Sequence, residues 1–255
     1  MQAVERRAAW SLAYRLAGLA AFLAIWFLAS RNAGPLLPSP AQVAVFLWRE
    51  TADGELLRQM GATLARVLAA FLLAMIVGGV GGYAMGRSAR ANALGDPWLV
   101  ILLNLPLLVI VILAYIWIGL NDIAAVLAVA LAKTPTVMVT VREGTRALDA
   151  GLDEMAQVFR LPFRRRMSRV ILPQLAPYLA AAGRSGLSIT WKIVLVVELL
   201  GRPNGVGFAL NIAFQNFDVT AIIGYGLAFA MVMLLVESLV LHPLEQRANR
   251  WRPNA

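Results

Sequence analysis

Long apolar runs alternate along this chain with short polar stretches rich in arginine, and a run of about 20 residues is what a helix needs to cross a bilayer core. Six runs stand out, roughly residues 11–29, 62–85, 97–119, 122–142, 178–201 and 220–241. Backbone groups in lipid must be bonded within their own segment, which selects helices. None of the runs alternates polar and apolar residues as a barrel strand does. The expected fold is all-α: a polytopic membrane protein with six transmembrane helices, a single domain over residues 1–255. The fourth run is interrupted by Lys133 and Pro135. The first, from Ala8 to Leu28, exceeds the usual apolar core of a signal peptide and reads as an uncleaved span.

Arginine placement sets the orientation. One set of loops holds Arg6 and Arg7, Arg87 and Arg90, the cluster from Arg142 to Arg169, and Arg247, Arg250 and Arg252. The opposite set holds Arg31, Arg49, Arg58 and Arg202. The basic side is expected to be cytoplasmic, which puts both termini there. On the outer side, Leu37-Pro38-Ser39-Pro40 predicts a turn with Ser39 as N-cap and Pro40 in the first helical position, followed by a short interfacial helix from Ala41 to Glu50. Gly78, Gly82 and Gly86 fall four apart in the second run, a spacing that lets two membrane helices approach closely.

Composition narrows the chemistry. Of the 255 residues 60% are hydrophobic and 15% charged, against roughly 25% charged in soluble domains. The net charge of +9 sits almost wholly on arginines between apolar runs, which speaks for bilayer topology and against nucleic acid. With no cysteine and His242 the sole histidine, thiol, iron–sulfur and histidine-based zinc chemistry drop out, and no catalytic or metal site is expected.

The polar island from Asp153 to Pro173 reads DEMAQVFRLPFRRRMSRVILP. On its charges alone it is a loop that fixes topology. The spacing of Glu154, Ala156, Val170, Leu172 and Pro173 resembles the EAA loop of ABC-importer permeases: Glu-Ala-Ala, a Gly after three intervening residues, then Ile-x-Leu-Pro. Met155 replaces one Ala, and Arg160 stands where the family has Gly. Glycine there would supply a positive φ that arginine adopts only at a cost. Pro162 disfavours helix at Leu161, so a break between two short helices is expected from proline instead. The LPSP element, Gly54-Glu55-Leu56, Glu198 ahead of Gly205 and Gly207, and the tail Leu244–Arg247 with Trp251-Arg252-Pro253 extend the resemblance from about residue 37 to the end. The pattern is similar to permeases of the nitrate, taurine, sulfonate and bicarbonate group.

The resemblance implies a type I ABC importer permease fold in a bacterial inner membrane. A cytoplasmic coupling loop over about 143–177 would dock on a separate ATPase through Glu154, Ala156, Arg160, Leu161, Pro162, Leu172 and Pro173. It implies as partners a second copy of the chain, two cytoplasmic ATPase subunits that bind the ATP, and a periplasmic or lipid-anchored solute-binding protein. No Walker A pattern occurs here, so ATP hydrolysis and its cofactor are expected on the partner, and the chain is a transport subunit, not an enzyme. Arg164–Arg166 and Arg169 are candidates for pairing with acids of the ATPase or with membrane lipid phosphates.

Lys133 and Lys192 are the only lysines, and both fall inside predicted spans. An intramembrane charge needs a partner or a wet path. Two readings stand: structural neutralisation, by Glu198 or a carbonyl freed at Pro135, or a path that attracts an anionic solute. Asn104, Thr134, Trp191 and Glu198 are further path candidates, while Arg66 and Arg184 are expected to snorkel to an interface. The alternatives are a neutral or cationic solute such as a vitamin precursor, or an ATP-independent secondary transporter; the latter predicts a repeat symmetry not found here.

Overall fold

In the computed structural model the described residues are 2–241 and 243. The described residues are mostly helical: α1 (Gln2–Ala33), α2 (Pro40–Ala52), α3 (Glu55–Arg87), α4 (Ala89–Asn104), α5 (Leu107–Ile118), α6 (Asp122–Arg146), α7 (Ala150–Val158), α8 (Phe163–Arg166), α9 (Leu172–Gly201), α10 (Val206–Gln215) and α11 (Val219–Val236). His242 and the tail segments Leu244–Arg247 and Trp251–Pro253 lie outside the described residues.

Among the described residues four helices are each long and apolar enough to cross a bilayer: Glu55–Arg87, Asp122–Arg146, Phe163–Gly201 and Val219–Leu239. The expected span over 97–119 is bent. It is two helices, α4 and α5, meeting at a 100° bend. Leu105 and Pro106 are extended at the bend, because Pro106 has no amide hydrogen for the Leu102 carbonyl and holds Leu105 out of helical geometry. Pro135, by contrast, is accommodated inside unbroken α6.

The centre of the bundle is α3 laid against α6, with α9 across both. Val67 and Ala70 of α3, Ala124, Ala128 and Val129 of α6, and Val194 and Val197 of α9 share one buried core with Val111 and Phe229. The glycine stripe sets the approach of α3 to α6. A Cβ at Gly78 would stand 2.6 Å from Val137 Cβ, and one at Gly82 the same distance from the Met138 carbonyl oxygen. Backbone cannot yield at that range, so only hydrogen fits on this face.

The outer connection is fixed locally. Ser39 accepts from the Gln42 amide, while the Gln42 side chain accepts from the Ser39 amide at 2.7 Å, closing a reciprocal cap at the start of α2. Trp26 Nε1 donates to the Pro38 carbonyl and ties α1 to the same turn.

Candidate functional site

α7 and α8 form a helical hairpin beside the end of α3, and short-range bonds determine its shape. Asp149 caps α7 by accepting from the Gly151 and Leu152 amides. Its own amide donates to Gln174 Oε1, and Gln174 Nε2 donates to the Val170 carbonyl, so one α9 side chain fastens the start of α7. Ala156 is 1% exposed and packs inward. Glu154 is exposed, on a cleft of about 440 Å³ lined also by Arg87, Arg146, Asp149 and Gln157.

The turn after α7 differs from the proline-only break. Arg160 itself takes the left-handed conformation, φ 47°. Its amide donates to the Gln157 carbonyl at 2.9 Å and the Leu161 amide to the Ala156 carbonyl at 2.9 Å, the pair of bonds that closes a helix on a left-handed residue. Pro162 then starts α8. The geometry that glycine ordinarily provides is kept by an arginine, under strain.

Large apolar side chains are exposed around this turn, among arginines. Val158 is 78% and Phe159 72% exposed, with Phe163 beside them in sequence also exposed. Such side chains on a short, well-bonded turn form a projecting knob. Leu172 and Pro173 are exposed too, but they belong to a helix that continues from Phe163 to Gly201 through a π-helical segment, Met167–Ile171, and not to a loop.

Asp153 was not singled out from sequence, yet it joins the hairpin together. One oxygen accepts from Arg166 Nε and Nη2 (2.9 and 2.6 Å), the other from Arg87 Nη2 (2.6 Å) at the end of α3. The hydrogen bond from Arg87 holds the Asp153 carboxyl below the usual carboxylate range, with Arg166 adding to it and partial burial opposing. Arg166 is therefore engaged within the chain, whereas Arg164, Arg165 and Arg169 are exposed.

At the opposite end of the bundle lies a buried polar cluster. Glu198 is 0% exposed. Its carboxylate accepts from Arg66 Nη1 at 2.6 Å, Thr63 Oγ1 at 2.8 Å and the Gly207 amide at 2.9 Å. Arg66 also donates to Asp122 at 2.7 Å and to the carbonyl and side chain of Asn204. The Gly205–Gly207 turn folds over the carboxylate: Gly205 has φ 106°, and a Cβ there would collide with the Glu198 carboxyl group.

Two expectations are thereby corrected. Arg66 does not snorkel to an interface, because α3 carries it into the bundle opposite two acids. Glu198 neutralises neither lysine; its acceptors are filled by other donors. In this structure Glu198 is enclosed.

The remaining path candidates divide. Lys133 is 2% exposed, and its Nζ finds no hydrogen-bond partner among the described residues. Its stem lies close to Gly186, where an added Cβ would stand 3.3 Å from Lys133 Cε and from Phe71. Thr134 is buried and bonded to the Ala130 carbonyl. Lys192 is exposed, its ammonium 5.3 Å from the Trp191 ring centre. Trp191 itself stacks edge-on with Phe229. Asn104 is exposed at the α4–α5 bend and donates to the Val100 carbonyl.

The comparisons with known proteins agree with this architecture. A chain of an amino acid ABC transporter, crystallised with histidines, superposes with a TM-score of 0.62 over 79% of this chain and 98% of its own, at 22% identity, which speaks for the fold. The putative aliphatic sulfonates transport permease SsuC of Bacillus subtilis is 30% identical over 217 residues, covering 85% of this chain and 78% of the relative. The bicarbonate transport system permease CmpB of Synechococcus elongatus is 27% identical, covering 88% of this chain and 85% of its own. The taurine transport system permease TauC of Escherichia coli is also 27% identical, covering 91% and 87%. Residues 67–242 match the family described as binding-protein-dependent transport system inner membrane component. With ATP used by a separate ATPase chain and solute presented by a binding protein, this multi-pass inner-membrane chain belongs to that family as the permease subunit of an ABC importer.

Proposed function

We propose that two copies of this chain enclose a path for a small anion, such as a sulfonate, taurine or bicarbonate, and that the α7–α8 hairpin seats on the ATPase. The observation that carries the coupling half is the apolar knob of Val158, Phe159 and Phe163 beside exposed Glu154. Three large apolar side chains projecting into water are costly unless a partner covers them. Leu161 and Pro162 hold the turn, and Ala156 lets it pack tightly. The arginine bias marks the hairpin's side of the membrane as cytoplasmic.

The solute half rests on the relatives' substrates and on Lys192. An ammonium facing outward from a membrane helix is stable only against water, a partner or an anion. The bend at Asn104 makes the same demand, because broken backbone at membrane depth is tolerated only where protein or water covers it. Lys133, Thr134 and Trp191 sit behind this surface and shape it.

The test is uptake into proteoliposomes holding the permease, its ATPase and its binding protein, with taurine, an alkanesulfonate and bicarbonate as anions and thiamine as the cation. Wild type should take up one of the anions. Glu154→Arg should abolish uptake and detach the ATPase, and Lys192→Met should abolish uptake while the ATPase stays bound. Full transport by Glu154→Arg with a normal complement of ATPase would overturn the docking role; uptake of thiamine alone would overturn the anion.

A further inference from the structure

The hairpin must move the membrane helices, and the contacts through which it does so differ in kind. To α9 the connection is covalent and helical, since Phe163–Gly201 runs on without a loop. To α6 it is a short turn through Ala147, Leu148 and Asp149. To α3 there is no chain connection at all. Arg87, the last residue of α3, reaches the hairpin through Asp153, and no other ion pair joins the two among the described residues.

The Asp153 carboxylate is built for two partners. Each of its oxygens is committed to a different guanidinium, one from α3 and one from α8. Its side chain is 17% exposed, and those of Arg87 and Arg166 are 34% and 25% exposed. Pairs so shielded are weakened by salt much less than pairs on an open surface. The bonds to Arg166 close the hairpin on itself; the bond to Arg87 carries it to the second membrane span.

We infer that Asp153 is a positioning residue for transport: by holding Arg87 and Arg166 at once it makes α3 follow the α8–α9 helix when the ATPase moves the hairpin. The inference rests on the docking role proposed above. Without the Arg87 bond the hairpin would still fold and still dock, but α3 would be coupled to it only through apolar packing on α6 and α9. The two spans would then cease to move as one body.

The chain lacks cysteine, so a pair of introduced cysteines gives unique labelling sites. Ala84 on α3 and Ala181 on α9 are both exposed. Spin labels at Ala84→Cys and Ala181→Cys, in complexes with the ATPase where labelled subunits are diluted by unlabelled ones, report the α3–α9 distance by pulsed electron resonance. The wild-type chain should give one narrow distribution both without nucleotide and when trapped with ATP and vanadate. Arg87→Gln, which leaves the Asp153–Arg166 pair in place, should give a second population only in the trapped state, and Asp153→Asn should do the same. Basal ATP hydrolysis of the Arg87→Gln complex should stay within about twofold of wild type, with stimulation by the binding protein lost.

An unchanged distribution in both variants, with the ATPase bound, would overturn the inference and leave the docking role standing. Loss of the ATPase from Arg87→Gln would also overturn it, because Arg87 would then serve the docking surface itself. Failure of the docking role shows separately, as a Glu154→Arg complex that keeps its ATPase and its transport.

Discussion

Replacing Glu198 by alanine tests whether the outer cluster holds the bundle together. The carboxylate is wholly buried and takes three donors. Its removal does not orphan all of them. Thr63 can still donate to the Gln59 carbonyl, and Arg66 retains Asp122 and Asn204. The Gly207 amide loses its acceptor, and a buried guanidinium loses its most enclosed counter-charge. Breaking a buried pair costs about 3–5 kcal/mol; the surviving bonds of Arg66 place this case near the lower end. For a chain of this size a loss of about 3 kcal/mol lowers the melting temperature by about 6–12 °C. Glu198→Gln keeps the shape and one acceptor oxygen, so it should cost about 2 kcal/mol. The assay is the fraction remaining monodisperse after heating in detergent, followed by size-exclusion chromatography. Lys192→Met is the comparison: Lys192 is not among the partners of Glu198, and its loss should leave the midpoint where it was. A Glu198→Ala midpoint within about 2 °C of wild type would refute the reasoning. So would rescue of Glu198→Ala by Lys192→Met, which would make those two residues partners after all.

Arg160→Gly should relieve the left-handed strain, worth about 1 kcal/mol after allowance for glycine's greater freedom in the unfolded chain, and hydrogen exchange at the Leu161 amide should slow accordingly; faster exchange would show that the arginine side chain stabilises the turn. Asp153 gives a pH prediction with a definite sign. Its carboxyl is held below its ordinary value of 3.8, so its contribution is complete above that value and is lost as pH falls through the depressed one. Exchange protection of the hairpin should therefore be flat from about pH 5 to 8, and a loss within that window would place the controlling group elsewhere.

Helix content and fold class were legible because lipid leaves the chain few options: long apolar runs, arginine between them, and glycines four apart where α3 meets α6. The α4–α5 bend was less so. Pro106 lies inside a run whose apolar character never falters, and hydropathy is blind to backbone direction. In the hairpin, the motif spacing led to Glu154 and Ala156, while Asp153 passed as one more acid in a polar stretch. Its importance comes from Arg87, a residue 66 positions earlier. Arg66 was misplaced for the same reason. An arginine near the end of an apolar run looks like an interfacial anchor until folding brings Glu198 to it from 132 residues away.

The helix that begins at Phe163 and ends at Gly201 is 39 residues long, or about 58 Å at the rise of an α-helix. It has one end in the hairpin and the other at the Glu198 cluster, with no loop between them to absorb a rotation. A tilt of about 5° pivoting at the hairpin end sweeps the far end through about 5 Å, a full helical turn's pitch. A displacement that size is enough to part or close side chains packed against each other. With the hairpin seated on the ATPase as proposed, a stroke on one face of the membrane becomes leverage on the other, with the helix itself as the rod.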